Sequence, residues 1–139
     1  MGNLMIRLLV VVILFFSCEL IFAEGDLGYG GKKGKVFGYE SVEEALETLK
    51  NDPNVEVSDS EGWTIISDKA GRALWSFAPL SHPAHPSVIK RSVVEKDGQI
   101  GIDTQVRCGA KKGVCDKLVQ DFIDLNNKVR KDVNNESAN

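Results

Sequence analysis

His82 and His85 are the only histidines in the chain, and they stand three residues apart inside Trp-Ser-Phe-Ala-Pro-Leu-Ser-His-Pro-Ala-His-Pro, residues 75–86. An imidazole can ligate zinc or copper, and it can carry a proton near neutral pH. Pro79, Pro83 and Pro86 fix φ and remove three amide donors, so the segment cannot be a helix or a central strand. Polyproline II geometry, with three residues per turn, would set His82 and His85 on one side. A zinc or copper site on that edge needs three or four ligands in all, so carboxylates from elsewhere would have to complete it. The structural alternative is a stiff crossover whose histidines are hydrogen-bonded or exposed. The third reading is recognition. A pre-stiffened loop loses little entropy on association, and Trp75, Phe77 and Pro79 with His82, Pro83, His85 and Pro86 would form its surface. Trp63 and Trp75 read first as core, because large aromatics dominate the buried area of a small domain.

Cys108 and Cys115 are the next pair with chemistry. Gly-Ala-Lys-Lys-Gly-Val lies between them, a spacing that is not the Cys-x-x-Cys of thiol oxidoreductases. A structural disulfide is expected there, worth about 2–3 kcal/mol in the chain-entropy model. The loop that it closes displays Lys111 and Lys112, a candidate partner contact or simply a solubilising surface. Lys90, Arg91 and Arg107 form a candidate cationic patch. Catalysis finds little to work with. No Ser-His-Asp or Cys-His arrangement is visible, and the candidate acid-base groups are His82, His85 and scattered carboxylates such as Asp103. A small hydrolase-like enzyme is therefore the least favoured alternative.

The elements around these residues follow from composition and pattern. The chain has 139 residues, 42% hydrophobic and 27% charged, an ordinary composition for one globular domain. Residues 1–23 read as an export signal: Arg7, an unbroken apolar run over 8–16, and Ile21-Phe22-Ala23 as cleavage site. The run is too short to span a bilayer, which takes about 20 residues. Phe15 to Cys18 is a poor lipobox, so lipidation at Cys18 is a second processing route and the only other expected tie to a membrane. Removal of 1–23 takes one base and one acid and leaves the net charge at −3. That balance argues against a nucleic-acid partner. Residues 24–35 read as a flexible glycine and lysine leader, 36–131 as one domain, and 132–139 as a polar tail.

Within the domain, Ser41 and Glu44 make a capping box, and Val42, Ala45, Leu46 and Leu49 form a helical stripe over 41–50. Strands are expected at 55–58, 63–67 and 72–77, the last two joined by a loop in which Gly71 supplies the positive φ. A second hairpin, 88–95 and 99–107, turns at Asp97-Gly98. Its alternation sets Ile100, Ile102, Thr104 and Val106 against Asp103, Gln105 and Arg107, one face packed and one wet. Cys115, Leu118, Val119, Phe122, Leu125 and Val129 predict a final helix over 114–129.

Trp75-Ser76-Phe77-Ala78-Pro79, with His82-Pro83-Ala84-x-Pro86 and Val88-Ile89-Lys90-Arg91, resembles a group of small exported bacterial proteins of unassigned function. The likeness runs from Gly62 to about Asn126 and implies a bacterial envelope location. The group also admits tyrosine at the position of His85, which implies packing or recognition there rather than a metal pair. The expected fold class is α+β: an antiparallel sheet of four or five strands, with an N-terminal helix and a C-terminal helix packed on one face. The expected function is an exported, periplasmic or secreted, non-catalytic binding or inhibitory module that presents the Pro/His-rich loop to a protein or envelope partner. A zinc or copper protein is the alternative.

Overall fold

A computed structural model describes residues 29–30 and 34–136. The export signal, Cys18 and most of the glycine and lysine leader lie outside the described residues.

The first helix, α1 (Val42–Lys50), begins where the capping box places it. The Ser41 hydroxyl accepts the Glu44 amide at 3.0 Å, and the Glu44 carboxylate accepts the Glu40 amide, so two amides with no helical partner are satisfied. Ala45 and Leu49 are buried on one side.

Five strands follow: β1 (Glu56–Ser60), β2 (Trp63–Asp68), β3 (Ala73–Phe77), β4 (Ser87–Lys96) and β5 (Gln99–Cys108). They form one sheet in sequence order, every neighbour antiparallel. Glu61-Gly62 and Asp97-Gly98 are two-residue turns with φ positive at both positions, 52° and 84° in the first, 54° and 76° in the second. That geometry matches the right-handed twist of the flanking strands. At the β2–β3 turn the expectation for Gly71 is corrected. Arg72 takes the positive φ, and Gly71 is there for room, since a Cβ would stand 2.2 Å from the Asp68 carboxylate. That carboxylate accepts the Gly71 amide at 2.7 Å.

The second helix, α2 (Lys112–Glu136), starts two residues earlier and runs seven further than its apolar repeat predicts. Its last turns include most of the expected polar tail. Cys108 and Cys115 form the expected disulfide, with Cα atoms 5.8 Å apart, and join the end of β5 to the first turn of α2.

The two helices do not share a face. Register sets Ile66, Trp75, Phe77 and Val88 on one side of the sheet, where they enclose Ala45 and Leu49 of α1. Ile89, Val106 and Cys108 point to the other side, where they meet Cys115, Leu118 and Val119 of α2. The architecture is therefore α+β with a helix on each face, α1 over β2–β3 and α2 over β4–β5. Residue 88 pairs with 77 and residue 89 with 76, so the apolar sets of the two hairpins fall on opposite faces.

Gly30, within the expected leader, is held against the sheet. Gly30 donates to the Val106 carbonyl at 2.9 Å and accepts from the Cys108 amide at 3.0 Å, a short parallel bridge on the outer edge of β5. Among the described residues, no helix is long and apolar enough to cross a membrane.

Candidate functional site

The proline segment leaves β3 at Ala78 and re-enters the sheet at Ser87. It is a pair of consecutive tight turns rather than polyproline II. The His82 amide donates to the Pro79 carbonyl at 2.9 Å and the His85 amide to the His82 carbonyl at 2.9 Å. Polyproline II makes no internal hydrogen bonds, and these two amides have partners three residues back. The Ala78 amide closes the base on the Ser87 carbonyl at 3.1 Å, and the Pro86 carbonyl accepts from Gly109 at 2.8 Å beside the disulfide. Ala84 is fully buried beneath the turns.

This path separates the histidines. His82 Nδ1 accepts the Ala84 amide at 3.0 Å, and its ring stands edge-on to Trp63 with centroids 5.0 Å apart. His85 Nδ1 meets the Ala78 carbonyl at 3.1 Å and, facing a carbonyl, must donate. In their neutral forms the two rings are therefore opposite tautomers. His82 lines a cleft on the α2 side of the sheet, and His85 lines a groove on the α1 side. A shared zinc or copper edge is not the geometry found. Among the described residues, no three His, Cys, Asp or Glu side chains are placed to hold an ion. Asp103 lies in the far half of the second hairpin, opposite Ser92.

The remaining expected contacts sort by burial. Trp75 and Phe77 are core, 5% and 2% exposed, so neither projects toward a partner, and Phe77 contributes only to the floor of a groove. Trp75 is enclosed by Phe37, Tyr39 and Phe77, with the Lys90 ammonium 4.9 Å from its ring. Pro83 is exposed, and Pro79 and Pro86 are half-buried. Lys111 and Lys112 are exposed before and at the start of α2, with Lys112 paired to Asp116 at 2.7 Å. The expected patch of Lys90, Arg91 and Arg107 is divided by strand alternation. Lys90 and Arg107 point to the α1 face, where Arg107 donates to the Lys35 carbonyl, and Arg91 points to the other.

Two surfaces had no reading in the sequence. The first is the groove between α1 and the loop, about 470 Å³, floored by Leu46, Phe77 and Ala78 and bordered by Leu80. Leu80 is 87% exposed. Its signal was isolation: it follows Pro79, precedes Ser81, and belongs to no apolar repeat. The second is the cleft beside α2, about 360 Å³, walled by Trp63, Ile65, His82 and Phe122 with Arg91 inside it. Its parts come from β2, β4, the loop and α2, and no local pattern joins them.

No family model, curated protein or solved structure matches this chain.

Proposed function

We propose that the protein is a non-catalytic binding module of an exported, periplasmic compartment, and that it presents the 79–86 loop to a protein partner. The observation that carries this reading is Leu80, 87% exposed at the tip of a segment already tied down by its own hydrogen bonds. Burying a leucine is worth about 1.5–3 kcal/mol. The loop has little freedom left to lose on binding. The adjoining groove has an apolar floor, and Glu43 and Glu47 outweigh Lys50 at its edge. Its complement is an apolar side chain flanked by lysine or arginine. The Cys108–Cys115 bond supports the compartment, because such bonds persist where conditions oxidise thiols.

The test starts with capture from a bacterial envelope extract and continues with the purified captured protein. Leu80→Asp should weaken that pair by about tenfold or more, as expected of a central apolar anchor. Ile100→Asp changes an equally apolar residue, 74% exposed at the far hairpin, and should leave affinity unchanged. Loss in Ile100→Asp with retention in Leu80→Asp would move the contact to the hairpin tip and overturn the reading.

A further inference from the structure

Arg91 is the unusual charge of this domain. It sits in the middle of β4 between Leu74 and Thr104, on the face that α2 half covers. Its guanidinium lies 5.5 Å from the Phe122 ring centroid, and its Nε is buried without a hydrogen-bond acceptor. Among the described residues, no carboxylate pairs with it. The two acids that line the same cleft are turned to other work or to solvent: Asp121 holds Lys117 at 2.7 Å, and Glu61 is exposed in the β1–β2 turn. Burial alone pushes the Arg91 pKa down from its ordinary value, and an arginine remains protonated in a protein even so. A half-buried guanidinium whose Nε has no acceptor is costly to keep. Its donor fork is also the geometry that binds a carboxylate through two parallel hydrogen bonds.

The walls add the second half of the argument. Trp63 stands edge-on to both His82, at 5.0 Å, and Phe122, at 5.9 Å. These rings and Ile65 form an apolar wall next to the cation. The volume, about 360 Å³, suits a small molecule or the end of a chain.

We propose that the cleft between α2 and β2–β4 binds a carboxylate with a flat apolar body, the carboxylate on Arg91 and the body against Trp63 and Phe122. The same chemistry is offered by a free aromatic acid and by the C-terminal residue of a peptide ending in phenylalanine. The site is separate from the Leu80 groove and does not depend on it.

The test is calorimetry on protein purified from the full-length coding sequence, with Trp63 fluorescence read in a Trp75→Phe background. Phenylacetate is compared with phenylacetamide, and acetyl-Ala-Ala-Phe with its C-terminal amide. Each carboxylate should bind at least about tenfold more tightly than its amide, the gain expected of charge-assisted hydrogen bonds. Arg91→Gln should remove that difference, and Arg91→Lys should keep part of it. Phenylacetate binding without tripeptide binding identifies a free acid as the ligand, and tighter tripeptide binding identifies a chain end. The amide comparison needs no variant, so a poorly folded Arg91→Gln cannot hide the answer. Equal affinity for acid and amide, or no saturation by any probe at millimolar concentration, would overturn the proposal.

Discussion

Tyr29 lies 87 residues before Asp116 in the chain, yet its hydroxyl donates to the Asp116 carboxylate at 2.6 Å. The Lys112 ammonium reaches the other carboxylate oxygen at 2.7 Å. Lys112 and then Tyr29 hold the Asp116 carboxyl below its ordinary value. A carboxyl whose folded pKa is depressed stabilises the fold above its unfolded pKa, near 4, and loses that contribution as pH falls through the folded value. The expected outcome is an Asp116 titration midpoint below the ordinary aspartate range by carboxyl NMR, moved up by Lys112→Ala and by Tyr29→Phe. In urea melts, Tyr29→Phe should destabilise the protein at pH 7 and have less effect near pH 2. A midpoint indifferent to both substitutions would mean that these contacts are not populated in solution. Composition could not announce this contact, because glycine and lysine surround Tyr29 and only the β5 edge gives Gly30 a place to pair.

At the scale of elements, the disulfide does what neither β5 nor α2 does alone. Its sulfurs belong to residues 2% and 1% exposed, and it holds the start of a 25-residue helix to the end of a strand. Cys108→Ser/Cys115→Ser should cost about 2–3 kcal/mol, read as a lower urea midpoint at unchanged slope. Chemical reduction of the wild-type chain should give the same shift. No shift would show that packing of Leu118, Val119 and Phe122 already fixes the helix. Most elements were legible because each carries a local signal: the Ser41 cap, the Asp97-Gly98 turn, the alternation of β5, the paired cysteines. The proline segment was not. Three prolines exclude helix and strand but leave turns and polyproline II both open. The hydrogen bonds at His82 and His85 decide between them, and they depend on Ala84 being buried beneath. Without that turn geometry the two histidines read as a pair.

For the whole molecule, the decisive quantity is the register across residues 78–86, which no pattern in those nine residues records. Each hairpin shows its own apolar face in sequence. Whether the two faces coincide depends on whether Phe77 pairs with Val88 or with a neighbour of it, and a shift of one residue would exchange the answer. The observed register divides the core, with Trp75 in the α1 half and Trp63 against the α2 half. Both halves are attached to one continuous sheet, which is the reason to expect a single cooperative unit. The chain has two tryptophans, so Trp63→Phe leaves a reporter in one half and Trp75→Phe leaves one in the other. Within each variant, tryptophan fluorescence should give the same urea midpoint as circular dichroism. Ile66→Val and Ile89→Val, at fully buried sites on opposite faces, should each cost about 0.5–1.5 kcal/mol. Their sum should hold in the double variant to within about 0.5 kcal/mol, since they share no partners and β3 lies between them. A fluorescence transition that precedes the circular-dichroism transition in only one variant would show that one helix leaves the sheet first.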